Sequence, residues 1–141
     1  MSTSAHGLER FIEAQESVYE TVRADLTAGK KRRHWMWFIF PQLKGLGRSD
    51  TARFFGIDGR DEAVAYWRHP VLGARLKACT QLVARHEEKT AFEILGSPDD
   101  VKLKSCMTLF AVVAPGEAVF SEVLQRYFEG ERDVATLDLL G

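Results

Sequence analysis

The sequence predicts an all-α fold, a compact single-domain bundle of about six to seven helices around a central buried helix at residues 98–114, with little or no β-sheet. Apolar residues recur at helical spacing along most of the chain, and no second segment is suited to pair with the one candidate strand. Residues 107–114 are apolar almost all round. A helix of that kind is buried on most sides, so we expect it to lie at the centre of the bundle.

Size and composition also indicate one soluble domain over residues 1–141, of which we expect residues 1–6 to be flexible. The apolar fraction of 45% and the charged fraction of 28% are close to globular averages. The apolar runs are far shorter than the roughly 20 residues that span a bilayer, so we expect no membrane insertion. Cys79 and Cys106 have no Cys-x-x-Cys partner, which is typical of reduced thiols and of a cytoplasmic location.

The first helix is predicted over residues 7–28, because apolar side chains recur at helical spacing and Gly29 follows where a left-handed C-terminal cap is usual. The next segment, residues 34–40, has the aromatic content of a buried strand. We favour a short buried helix that ends before Pro41, because the residue before proline is driven out of the helical region.

Glycines mark the loop that follows. Gly45 and Gly47 predict a loop over residues 42–48, and Ser49 is expected to cap a short helix that ends near Phe55.

Two further helix starts are indicated between the loop and the central helix. A brief helix near residues 63–67 is expected to end at His69, a cap residue, with Pro70 in the first turn of the next helix. Thr90 and Glu93 have the spacing of a capping box.

The central helix carries the sharpest local signal, Ser97-Pro98 followed by two acidic residues. Ser97 is a cap candidate, proline suits the first helical position, and the acids complement the positive end of the helix dipole. Two shorter helices are predicted after it, at residues 118–128 and 136–140.

We predict one ligand cleft, formed where the aromatic segment at residues 35–42 crosses the central helix. An aromatic wall with a few convergent polar groups is the usual form of a small-ligand site. The cleft residues are Trp35 or Trp37, Gln42, Lys104, Ser105 and Thr108.

If the cleft is catalytic, Asp99 or Asp100 would be the acid or base, and Lys104 would stabilise negative charge. The structural alternative is favoured over a role for Lys104 in anion binding or catalysis. In that alternative, Asp100 and Lys104 form an ion pair at helical spacing, and the hydroxyl groups of Ser105 and Thr108 donate hydrogen bonds to the preceding turn.

The basic run at residues 30–33 beside Trp35 and Trp37 suits phosphate binding and base stacking. We favour the simpler interpretation that basic side chains collect at a helix C-terminus and stay in water. The net charge of −1 further argues against nucleic acid. No histidine has metal-ligand spacing, and no cofactor or covalent-nucleophile motif is present, so neither a metal nor a cofactor is expected.

Three segments in order resemble a known family. They are residues 29–46 (GKKRRHWMWFIFPQLKGL), 69–76 (HPVLGARL) and 99–110 (DDVKLKSCMTLF). They are similar to the bacterial and fungal family numbered eighteen-ten among the domains of unknown function, sometimes labelled calpastatin. The likeness covers nearly the whole chain, with Cys106 where the family has a serine. It implies a compact, mainly helical fold and no established activity; the calpastatin label has no support, since such an inhibitor would be long and disordered.

A looser similarity is to helical domains that process NAD and ADP-ribose derivatives. Our hypothesis is therefore a domain that binds a small anionic, nucleotide-like ligand, with hydrolysis of an NAD or ADP-ribose derivative as its catalytic form. One alternative is a non-catalytic protein-interaction module, and a second is nucleic-acid binding through residues 30–33.

Overall fold

The computed structural model describes residues 7–141, so the expectation about residues 1–6 lies outside the described residues. Over this range the chain forms ten helices and no strand, and the all-α prediction is confirmed. The helices outnumber the six to seven expected because several consist of only one or two turns. They are α1 Glu9–Glu16, α2 Tyr19–Ala28, α3 Met36–Ile39, α4 Asp50–Phe54, α5 Arg60–Arg68, α6 Leu72–Ala84, α7 Ala91–Leu95, α8 Asp99–Val113, α9 Val119–Phe128 and α10 Val134–Leu140.

The single helix predicted over residues 7–28 is wrong, because the chain breaks at Ser17 and Val18 into α1 and α2. The two parts pack on different neighbours, α1 on α3 and α2 on α6. The left-handed cap at Gly29, with φ of 74°, is confirmed.

Helix α8 is the centre of the bundle and packs against α5, α7, α9 and α10. Its Phe110 is fully buried and contacts the rings of Tyr66 and Phe120. The expected cap at Ser97 is wrong: the cap position is Pro98, whose side chain has no hydrogen-bonding group. The backbone carbonyl of Gly96 accepts the N–H of Asp100 instead, which removes the need for a serine cap.

The other predicted helix starts are largely confirmed. Ser49 Oγ accepts the Ala52 N–H at 3.1 Å, and Thr90 with Glu93 forms a complete capping box. His69 Nδ1 accepts the N–H groups of the two residues before and at the start of α6. Helix α6 therefore begins at Leu72, two residues after Pro70, rather than at the proline.

The aromatic segment forms the short helix α3, and the strand alternative is excluded. Trp35, Met36 and Phe40 are buried, whereas Trp37 lies partly exposed at the surface. The last helix, α10, docks on α8, and its cap residue Asp133 donates its N–H to Thr108 of that helix. Within residues 7–141, every helix is too short or too polar to cross a bilayer.

Candidate anion-binding site

The loop after α3 is fixed to the end of α4 by two backbone hydrogen bonds. Ile57 N–H donates to the Gln42 carbonyl at 2.9 Å, and Lys44 N–H donates to the Ile57 carbonyl at 2.8 Å. Leu43 and Ile57 thus form an isolated parallel bridge, and both side chains are buried. The polar part of the loop is held on a rigid base, as a binding loop requires.

Two glycines bring this loop close to α4. A Cβ at Gly47 would lie 2.6 Å from the Ala52 Cβ, and one at Gly56 would lie 2.7 Å from the Lys44 Cα. Both distances are far below van der Waals contact, so only glycine fits at these positions. The loop therefore lies close to α4, with Lys44 and Arg48 near Arg53 of the helix.

Three cations converge around the resulting loop pocket, which is lined by Lys44, Gly45, Gly47, Arg48 and Arg53 and encloses about 380 Å³. Among the residues that the structure describes, none of the three cations takes part in an ion pair. All three side chains are exposed to water. An anion would therefore meet three positive charges without breaking an existing pair.

An aromatic slot adjoins the loop pocket. Gln42 Nε2 lies 3.5 Å from the Gly47 Cβ position, and Ala52 contacts the same glycine, so Gln42 and Ala52 separate the two sites. The slot holds only about 10 Å³ of space, too little for any ligand as it stands. Its lining residues are Met36, Trp37, Phe40, Gln42, Ala52, Phe55, Gly56 and Lys102.

An ionic and aromatic network lies beside the slot, with Asp99 at its centre. Lys31 Nζ lies 2.9 Å from Asp99 Oδ2, and Lys102 Nζ lies 3.7 Å from Oδ1. Each ammonium also lies over an indole ring, Lys31 at 5.4 Å from the Trp35 centroid and Lys102 at 5.2 Å from that of Trp37. These are cation–π distances, so both lysines are held by a carboxylate and a ring.

Part of the basic run at residues 30–33 therefore makes contacts within the fold. The side chain of Lys31 is only 9% exposed, and Arg33 Nη1 lies 3.3 Å from Asp25 Oδ1. The backbone N–H of Arg32 also donates to Asp25. The expectation that the whole run stays in water is wrong for Lys31, which is nearly buried against Asp99, whereas the other three basic residues of the run are exposed.

The residues of the predicted cleft lie at separate places in the structure. Trp37 and Gln42 lie together in the aromatic slot, whereas Trp35 is buried and donates its Nε1–H to Asp25. Lys104 points elsewhere and lies 3.4 Å from Glu131. Lys102 and Lys104 are two positions apart on α8, so the helix turns them about 200° away from each other.

The hydroxyl groups predicted for the cleft are engaged within α8 and its contact with α10. Ser105 Oγ and Thr108 Oγ1 donate to carbonyls four residues earlier, as the structural alternative predicted. Thr108 also accepts the Asp133 N–H at 2.9 Å. The predicted ion pair between Asp100 and Lys104 is not formed, because Asp100 accepts the N–H of its neighbour Val101.

The two cysteines are free and fully buried. Burial raises the pKa of Cys79 to about 12 and raises that of Cys106 well above its usual value. Neither thiol ionises near neutral pH, so neither is a nucleophile there. Within the described part of the chain, no three metal-binding side chains lie together.

A larger cavity of about 550 Å³ lies near the C-terminal end of α2, but most of its charged groups already have partners. Lys31 pairs with Asp99, Lys89 donates to the Gly29 carbonyl at 2.9 Å, and Glu93 belongs to the capping box. Lysines and glutamates line it together, so their charges largely cancel. The smaller loop pocket therefore suits an anion better.

The loop pocket was missed in the sequence, although a signal was present. Residues 26–57 hold seven of the 19 basic residues and one of the 20 acidic residues. The whole chain is nearly neutral, so the global charge concealed this segregation. A windowed count of charge would have found Lys44, Arg48 and Arg53.

The chain is similar to the conserved hypothetical protein Rv1873 from Mycobacterium tuberculosis, whose crystal structure is at 1.38 Å resolution. The sequences are 47% identical, the similarity covers 96% of both chains, and the TM-score is 0.94. Curated proteins show no significant similarity to the chain. The model of the family described as protein of unknown function (DUF1810) matches residues 5–140, and the chain therefore belongs to that family.

Proposed function

We propose that this protein binds a small anionic, phosphate-bearing ligand in the loop pocket. The observation that carries the proposal is the convergence of Lys44, Arg48 and Arg53, none in an ion pair with a described residue, around about 380 Å³. Arginine presents a planar fork of N–H donors that matches phosphate oxygens, and lysine adds a mobile positive charge. This set of side chains favours phosphate over a neutral or cationic ligand.

The charge distribution around the pocket supports the same ligand class. Residues 26–57 contain a single carboxylate, Asp50, so the surrounding surface repels phosphate little. Because the cations are exposed, salt screens their attraction, with a Debye length of about 8 Å at physiological ionic strength. Binding should therefore weaken as the salt concentration rises.

The test is a thermal-shift and calorimetry panel with pyrophosphate, sugar phosphates, NAD and ADP-ribose. A ligand at 100 times its Kd adds about 2.7 kcal/mol to stability. In the double variant Arg48→Ala/Arg53→Ala, we expect the Kd for pyrophosphate to rise about tenfold or more, since charge-assisted hydrogen bonds are lost.

The matched control is Arg60→Ala/Arg68→Ala, which removes the same charge from α5, where both side chains are exposed in a shallow cavity beside Asp61. The control should bind pyrophosphate as the parent protein does. Equal losses in the two double variants would refute a specific site and leave only a general charge effect.

Hydrolysis of an NAD or ADP-ribose derivative is the catalytic form of this proposal. Asp99 is the carboxylate next to the slot, because it lies beside Lys102, which lines the slot. Hydrolysis is supported if the parent protein forms product, and if Asp99→Asn forms none but still binds pyrophosphate. No turnover of any bound ligand would limit the protein to binding.

Nucleic-acid binding is the second candidate, and the segregation of charge in residues 26–57 favours it. It predicts that a single-stranded oligonucleotide binds at low salt with a steep salt dependence, whereas pyrophosphate does not compete. Competition by pyrophosphate would assign the affinity to the loop pocket.

A further inference from the structure

We infer that the ligand carries a flat aromatic ring, such as a nucleobase, and that this ring stacks on Trp37 after displacing Lys102. The inference rests on the proposed function, because the slot adjoins the pocket that would hold the phosphate. Gln42 and Ala52 line the slot and touch Gly47, which lines the loop pocket. One molecule with a phosphate and a ring can thus occupy both.

Trp37 is placed as a stacking surface. It lies in α3 between the buried Met36 and the core residue Ile39, so the helix cannot turn without exposing apolar side chains. The indole itself is only partly buried, and the Lys102 ammonium covers its face at 5.2 Å from the ring centroid. Aromatic faces of this kind hold bases by stacking in many nucleotide sites.

Lys102 is held loosely, in contrast to Lys31. Lys102 Nζ lies 3.7 Å from the Asp99 carboxylate, whereas Lys31 Nζ lies at 2.9 Å and is nearly buried. If Lys102 swings away, Asp99 therefore keeps a close counter-ion. The Lys102 side chain is also 23% exposed against 9% for Lys31, and its distance from Asp99 is longer than a direct hydrogen bond, so Lys102 is displaced more easily than Lys31.

Gln42 supplies polar groups at the edge of the slot. Its side-chain amide makes no hydrogen bond with any residue in the described range, although it lies half-buried. An amide offers both a donor and an acceptor, as the edge of a base requires. With Lys102 in place the slot holds only about 10 Å³, so the ring enters only when the lysine leaves.

The experiment compares AMP with ribose 5-phosphate, which carries a hydroxyl group in place of the base. We expect AMP to bind about tenfold tighter, and Trp37→Leu to bring the two affinities together, because base stacking is lost. Trp67→Phe is the control, since Trp67 packs on Phe120 in another part of the molecule. It should leave the ratio unchanged.

A second variant, Lys102→Ala, uncovers the ring without touching the core. It should increase the preference for AMP by a few-fold, whereas Lys77→Ala, which breaks the comparable pair with Glu117, should not. If pyrophosphate binds but AMP and ribose 5-phosphate bind equally, or Trp37→Leu leaves their ratio intact, the inference is wrong and the anion site stands. If pyrophosphate itself does not bind, the proposed function and this inference both fail.

Discussion

Asp25 and Trp35 form a buried hydrogen bond, in which the indole Nε1–H donates to the Asp25 carboxylate at 3.0 Å. The two residues are only 3% and 1% exposed. The same carboxylate accepts the Arg32 N–H at 3.0 Å and lies 3.3 Å from Arg33 Nη1. It therefore joins the end of α2 to the start of the aromatic segment, and thereby orients α3.

Asp25→Ala should lower the free energy of unfolding by about 2–4 kcal/mol, because the buried indole N–H and the Arg32 N–H lose their acceptor. Chemical denaturation measures this change. Asp138→Ala, at an exposed position of α10, is the control and should be nearly neutral. Equal stability of the two variants would show that the hydrogen bonds around Asp25 contribute nothing.

Asp99→Asn should lower the free energy of unfolding by roughly 1–3 kcal/mol, because the nearly buried Lys31 loses the counter-ion at 2.9 Å. Asp100→Asn is the matched control, since among the described residues the Asp100 carboxylate accepts only the N–H of Val101, and an amide oxygen can replace it. Thermal denaturation of the two variants at equal salt compares them. A larger loss in Asp100→Asn would contradict the network around Asp99.

Gly73→Ala should destabilise the protein by about 2 kcal/mol or more, since the added methyl group would overpack a closed contact. Its Cβ would lie 2.0 Å from the Trp67 carbonyl oxygen. At Gly116 an added Cβ meets no atom of residues 7–141 within 4 Å, so Gly116→Ala should be neutral. The denaturation midpoints of both variants test whether α5 and α6 are packed this closely.

Alkaline pH should weaken the fold. Burial raises the pKa of Cys79 from 9.0 to about 12, so the native state holds its proton where the unfolded state has lost it. The contribution of the Cys79 thiol to the free energy of unfolding is complete below pH 9. It is lost as pH rises from 9 towards 12, by about 1.4 kcal/mol per pH unit.

Urea denaturation between pH 8 and 10.5 measures the slope. Because burial also raises the pKa of Cys106, Cys79→Ala/Cys106→Ala should show a shallower decline than the parent protein, whatever its absolute stability. Parallel declines would mean that the thiols do not contribute. In the native parent protein at pH 7, both thiols should also resist alkylation.

The sequence determined most of the local structure. Gly29, Ser49 and the pair Thr90 and Glu93 mark helix ends through interactions within a few residues, so a local pattern contains the necessary information. The apolar second half of α8 likewise predicted its central position. The prediction of a cap is wrong at Ser97, because the backbone carbonyl of Gly96 accepts the N–H group in its place.

The candidate site depended on tertiary structure. The predicted cleft contains Lys104, but packing of α8 places Lys102 over Trp37 and Lys104 beside Glu131. Helical periodicity gives the relative directions of side chains and not which neighbour each one meets.

The chain by itself thus determined an all-α fold, its central helix and the burial of its aromatic segment, because apolar periodicity and caps act over short distances. Only the tertiary structure decided which charges are paired. Asp25 pairs with Arg33 and Asp99 pairs with Lys31, whereas Lys44, Arg48 and Arg53 receive no carboxylate from the residues described. Ion pairs between distant segments form only once packing has set the distances, and those distances determine which cations remain available to a ligand.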